Sequence, residues 1–166
     1  MPRPPDHPGY QRLRSGRRSE VGRVYFLTTV TSGRQPLFAS HAAAALMSRL
    51  MAGQDAWPGA LLWAWVLMPD HWHGLLELQG DEPLASVVKR AKGTSARRFN
   101  LAQGRQGSVW RDGFHERAIR SHESLRATAR YLVANPVRAG LVESVADYPF
   151  WDAFWLDGGS APPIPD

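Results

Sequence analysis

Nine consecutive apolar residues, Ala60 to Met68, run into Pro69-Asp70 and then into His71-Trp-His-Gly-Leu-Leu-Glu-Leu78. Nine is too few for a membrane helix, which needs roughly 18 or more. Apolar throughout, Leu61–Met68 reads as a strand covered on both faces. Pro69-Asp70 favours a tight turn, so His71–Leu78 returns as a second strand and the two form a hairpin. A strand covered on both faces needs helices packed on its sheet, which points to a layered α and β domain.

The flanking segments supply those layers. Val24–Thr31 is β-branched and aromatic and reads as a strand. Ser40 caps a helix running to about Met51. Residues 83–99 read as a basic helix, with Pro83 suited to its first turn and Gly93 a weak point within it. A Gly-rich loop over 102–112 precedes a short strand, Phe114–Arg120. Ser121 caps a helix to about Ala134, which Asn135-Pro136 breaks before a short helix toward Leu141. The order is that of a ferredoxin-like β-α-β-β-α-β sandwich with an added C-terminal helix bearing Tyr131. Helices on one side would leave the other sheet face open for a site. The expected domain is 21–151, between a flexible basic arm over 1–20 and an acidic, Pro/Gly-rich tail over 152–166.

The chain has 166 residues, 43% of them hydrophobic, enough to bury a core and exclude general disorder. With no cysteine there is no disulfide framework, zinc knuckle or thiol nucleophile. The N-terminus lacks an apolar signal segment, so the expected compartment is the cytosol. Net charge is +5, unevenly spread. Leu84–Arg138 holds 12 Lys/Arg against Asp112, Glu116 and Glu123, whereas Glu143 onward holds five acids and no Lys or Arg. A basic body fits a polyanionic partner, most often nucleic acid, and also fits a merely solvated surface.

His71 and His73 lie two apart on a strand, so their imidazoles leave the same face side by side, as two ligands of a divalent metal must. Trp72 points the other way, into the core. The same spacing also fits two histidines hydrogen-bonded on a half-exposed strand. Tyr131 and Asn135 are four apart, one helical turn, and present a phenol and an amide together. That tyrosine sits on the flank of a Leu125/Leu132 core stripe, a position that can border a cleft or close a core edge. Lys89, Arg90, Lys92, Arg97 and Arg98 on the second helix, with Arg117, Arg120, Arg126, Arg130 and Arg138 around the tyrosine, would form a phosphate track beside such a site.

Three separated motifs carry a resemblance. They are Met68-Pro-Asp-His-Trp-His-Gly, Trp110-Arg-Asp-Gly-Phe-His-Glu-Arg and Arg130-Tyr-Leu-Val-Ala-Asn-Pro-Val-Arg-Ala-Gly-Leu-Val142. In that order, over about residues 20–150, they resemble the single-tyrosine HUH transposases, most closely the bacterial REP-associated tyrosine transposases. The resemblance implies a nuclease and strand transferase acting on single-stranded or hairpin DNA in the cytoplasm, nucleoid-associated. It implies His71 and His73 as metal ligands, Tyr131 as nucleophile and Asn135 as third ligand, where some relatives have Gln. The implied cofactor is Mg²⁺ or Mn²⁺.

A tyrosine with pKa ~10 needs help to ionise. His115 and Glu116 are candidate bases that fit strand-pairing roles equally well, and Asp70 suits the turn or the orientation of a histidine. Glu77 shares the histidine face but sits roughly 13 to 20 Å along the strand, too far to be a co-ligand. A structure-specific DNA-binding protein or repressor with weak or lost nicking is the rival. An RNA-binding module is disfavoured by the lack of a Gly-Phe-rich stacking motif. Monomer and homodimer both remain open.

Overall fold

The computed structural model describes residues 19–154, so most of the expected basic arm and of the acidic tail lies outside the described residues. In chain order the elements are β1 (Val24–Val30), α1 (His41–Ala52), β2 (Ala60–Met68), β3 (His71–Leu78), α2 (Leu84–Gln103), β4 (His115–Ala118), α3 (His122–Val133), α4 (Asn135–Arg138) and β5 (Trp151–Ala153). The strands form one antiparallel sheet in the order β4-β1-β3-β2-β5. This is the expected α+β class, and it is compatible with a ferredoxin-like unit. Among the described residues no helix is long and apolar enough to cross a membrane.

Strand alternation sends successive side chains of both hairpin strands to opposite layers. Trp72, Leu76 and Leu78 join Leu27, Leu67, Met47, Val87 and Phe99 in one core, beneath α1 and α2. Leu75 joins Val66, Met68, Leu125, Ala129 and Leu132 in a second core, beneath α3. The sheet is therefore covered on both sides. The expectation that one face stays open is corrected: α3 crosses part of it, because its Leu125/Ala129/Leu132 stripe needs burial.

Trp72 is fully buried and stacks on Trp57, centroids 5.1 Å apart at 20°. Its indole lies over Gly74, where a Cβ would stand 2.1 Å from Cη2 of Trp72. Gly74 is thus required by the ring that anchors the histidine strand from behind. Gly74→Ala is expected to lower unfolding free energy by about 3 kcal/mol, the upper end of overpacking costs, in a urea melt.

Several boundaries move. β4 covers only His115–Ala118, so Phe114 and Arg120 fall outside it. α2 runs unbroken through Gly93 to Gln103, and Gly104 ends it at φ 58°, a left-handed cap whose N–H is bonded to the Asn100 and Leu101 carbonyls. Its first turn is capped by Ser19 Oγ, which accepts from Leu84 N at 3.0 Å. β5 pairs with β2, and Phe154 meets Trp63 edge-on at 4.9 Å. The packed domain therefore extends past residue 151.

Candidate active site

β3 is central, with His71 opposite Val30 and Met68, and His73 opposite Thr28 and Val66. The two imidazoles stand side by side, centroids 4.7 Å apart at 74°. Each is held through Nδ1. His71 Nδ1 lies 2.6 Å from Asp70 Oδ1, and Asp70 Oδ2 accepts from Arg34 at 3.5 Å. His73 Nδ1 lies 2.8 Å from Thr28 Oγ1. The hairpin turn is itself clasped, since Thr31 donates to the Asp70 carbonyl from its N–H and its hydroxyl, both at 2.9 Å.

Burial, then the neighbouring His71, lowers the His73 pKa from 6.5 to about 3; a Leu27 backbone hydrogen bond opposes this, and the nearby Arg138 charge adds to it. His73 is a neutral imidazole at neutral pH. The unfolded chain binds this proton first as pH falls, so the stabilisation is complete above pH 6.5 and is lost toward pH 3. Between pH 6.5 and 5 the metal-free protein is expected to lose about 2 kcal/mol, at about 1.4 kcal/mol per unit. Urea melts of wild type and His73→Gln at both pH values would show it, the variant lacking this loss.

Three of the four tyrosines lie among the described residues; Tyr10 does not. Tyr25 is 6% exposed and its oxygen accepts from Glu20 N at 3.1 Å. Tyr148 donates to the Leu67 carbonyl, and burial pushes its pKa up to about 12. Tyr131, 56% exposed on the last turn of α3, differs from both. The Arg138 guanidinium lies 3.6 Å from its ring centroid and donates to its carbonyl at 2.7 Å. Arg138 therefore stands on the tyrosine while its charge reaches His73.

Tyr131 and Asn135 do not share one helix. α3 ends at Val133, and Asn135 opens α4, with Ala134 at φ −81°, ψ −3° between them. Asn135 Nδ2 is buried with no hydrogen-bond partner. A buried amide end without a partner is rare, and a half-turn of the amide would put its carbonyl there instead. Two adjacent histidines, each engaged through Nδ1, and a buried amide without a partner are donors of the kind a divalent ion takes. Among the described residues no group of three or more His, Cys, Asp or Glu could hold a metal, so a third protein ligand would have to be of another type. Glu77 is engaged elsewhere, accepting from Trp63 Nε1 and Gln79 Nε2, both at 2.8 Å.

The cations divide between two sides. Arg117 reaches the histidine face, 5.7 Å from the Phe26 ring and 3.5 Å from Thr128 Oγ1. Phe26 in turn stacks on His73, centroids 5.1 Å apart at 25°. His115 shares this face, paired with Thr28, whereas Glu116 points to the other layer. Arg120, Arg126 and Arg130 are exposed beside or on α3. Lys89, Arg90, Lys92, Arg97 and Arg98 do not surround the histidines, because α2 packs on the opposite layer. Arg90 is paired with Glu82 at 2.7 Å, and Lys92 donates to the Arg111 and Gly113 carbonyls at 2.6 and 2.5 Å. Sequence reading missed Thr28, Phe26 and Arg34. Thr28 and Phe26 are placed by pairing register and Arg34 by the short turn that follows β1, neither of which a local pattern states.

This sheet, with paired histidines on one face and an exposed tyrosine on the helix that crosses it, is that of a transposase-family domain by its match to a family model. The chain belongs to the IS200-like transposase family, whose model matches residues 22–135. It is 35% identical over 88 residues to the REP-associated tyrosine transposase of Escherichia coli K12, a match covering 52% of this chain and 50% of that one. The aligned region thus spans about half the length of that relative. A Haemophilus influenzae protein provisionally named a REP-associated tyrosine transposase is 27% identical over 139 residues, 78% of each chain. A REP-associated tyrosine transposase solved bound to a REP hairpin superposes with TM-score 0.66 at 27% identity, covering 81% of this chain and 79% of that one.

Proposed function

We propose that this protein nicks and rejoins single-stranded DNA beside a hairpin, with Tyr131 as nucleophile and Mg²⁺ or Mn²⁺ held by His71, His73 and Asn135. The observation that carries it is an exposed tyrosine, with Arg138 on its ring, borne by the helix that packs on the face of a histidine pair whose Nδ1 atoms are both engaged. A bound divalent ion would offset phosphate charge and polarise the phosphorus, and two imidazoles favour Mn²⁺ over Mg²⁺. Tyr131 Oη attacks phosphorus, and the bond to the 3′ oxygen breaks. The products are a 5′-phosphotyrosine ester and a free 3′-OH. The ester conserves the bond, so attack by a 3′-OH rejoins strands without ATP. Arg138, standing over the ring, places a cation where the incoming phosphate would lie. The relative bound to a REP hairpin supports a hairpin as the DNA recognised.

Binding is expected to be electrostatic. If about five phosphates are contacted, log affinity falls with log salt at a slope near −3.5 for single strands, measured by anisotropy titrations. A flat response would remove the basic surface from the DNA path.

The experiment is a pulse and chase. Hairpin DNA with single-stranded flanks is incubated with protein and Mn²⁺, then resolved on a denaturing gel. A covalent adduct should form, and excess strand ending in 3′-OH should convert it to a longer product. Tight binding without an adduct would favour the rival, a DNA-binding protein that does not cut.

A further inference from the structure

The α2 side of the molecule, on the other layer of the sheet from the histidines, holds a cavity of about 410 Å³ between that helix and the Ser108–Phe114 segment. Building on the function proposed above, we propose that this cavity seats one unpaired nucleotide of the DNA strand that crosses the histidine face. Its walls are apolar at Ala85, Ala96, Val109 and Phe114, with Lys89 and Arg111 adding positive charge against one carboxylate, Asp112. Small apolar groups and a phenyl ring suit the flat faces of a base, and the two cations suit its phosphate. The volume takes one nucleotide but not a duplex, whose bases are paired away from such a wall.

One segment borders both the cavity and the catalytic face. Arg111 to Phe114, which line the cavity, also line a crevice of about 10 Å³ with Thr28, Val30 and His115, and Thr28 is the residue that holds His73. The segment between the two is firmly placed. Arg111 N donates to the Val30 carbonyl at 2.8 Å, Trp110 Nε1 to Ser95 Oγ at 3.0 Å, and Lys92 to the Arg111 and Gly113 carbonyls. A strand leaving the histidines over Thr28 therefore meets a preformed seat on the far side of this segment.

Gly93 provides an independent observation. It lies exposed in the middle of the 20-residue α2, where glycine is the worst choice but proline. Nothing in the fold demands it, since a Cβ there would meet no atom within 4 Å. It lines both the cavity and a groove holding Ser86, Arg90 and Arg97 on its other flank. A residue that weakens its helix while keeping two basic hollows joined is explained by close approach of a ligand.

The test measures binding in EDTA, by anisotropy, to a hairpin with single-stranded flanks and to the same hairpin blunt-ended. Gly93→Leu should weaken binding to the flanked DNA about 10-fold, the low end of what one stacked base contributes. Blunt hairpin binding should be unchanged. Gly93→Ala should raise Tm by about 2–4 °C yet bind flanked DNA no better than wild type. As a second variant, Lys89→Ser should reduce the salt slope by about 0.7 on flanked DNA alone. Wild-type affinity of Gly93→Leu for flanked DNA would overturn the proposal, as would an equal loss on both DNAs, which would mean a duplex contact. Because no metal is present, a protein that binds as described but forms no adduct with Mn²⁺ would refute the nicking reading and leave the seat standing.

Discussion

Tyr131→Phe is expected to bind flanked hairpin DNA as wild type does and to form no covalent adduct. The substitution removes one oxygen from a half-exposed ring and leaves the contact with Arg138 in place, so folding and the basic surface are untouched. Loss of a nucleophile typically costs on the order of 10⁴-fold or more in rate. No other described tyrosine can substitute. Tyr25 is buried beneath Glu20, and Tyr148 is bonded to a carbonyl with its pKa raised to about 12. A denaturing gel at enzyme excess over an extended time course gives the readout; nicking by the variant at wild-type rate would remove Tyr131 from the mechanism.

His71→Ala and His73→Ala are each expected to abolish cleavage at Mn²⁺ concentrations that saturate wild type, with hairpin binding retained. Each removes one of two adjacent imidazoles 4.7 Å apart and strands the Asp70 or Thr28 group that held it. Asn135→Ala should be milder, because water can replace a neutral oxygen ligand, and excess Mn²⁺ should restore part of the rate. Its Nδ2 has no partner to lose. The comparison is a Mn²⁺ titration of adduct formation. An Asn135→Ala protein as inert as His73→Ala at every Mn²⁺ level would contradict a three-ligand site of unequal members.

Much of the sheet was legible because local chemistry dictated it. The apolar Leu61–Met68 run, the Pro69-Asp70 turn and the His71–Leu78 alternation define β2 and β3 with a start one residue out. The side-by-side histidines follow from strand period alone. Tyr131 stood out from its motif, yet its exposure depends on how the α3 stripe settles on the sheet. What sequence did not disclose is three-dimensional. The layer α2 occupies decides that Lys89 and Arg97 lie away from the histidines, and a periodicity plot cannot choose a layer. β5 is three residues long, too short to carry a pattern, and forms because β2 leaves an edge to pair. Thr28 and Phe26 meet His73, and Arg117 meets Phe26, only through the β4-β1-β3 register.

The most direct measurement is peptide mapping of the covalent product. Protein is incubated with a flanked hairpin and Mn²⁺, digested with protease and nuclease, and the peptide carrying a residual nucleotide is sequenced by mass spectrometry. A single modified residue, Tyr131, linked to a 5′-phosphate is expected, with a free 3′-OH on the released strand. Cleaved DNA with no protein-linked nucleotide, or a nucleotide linked to any other residue, would contradict it.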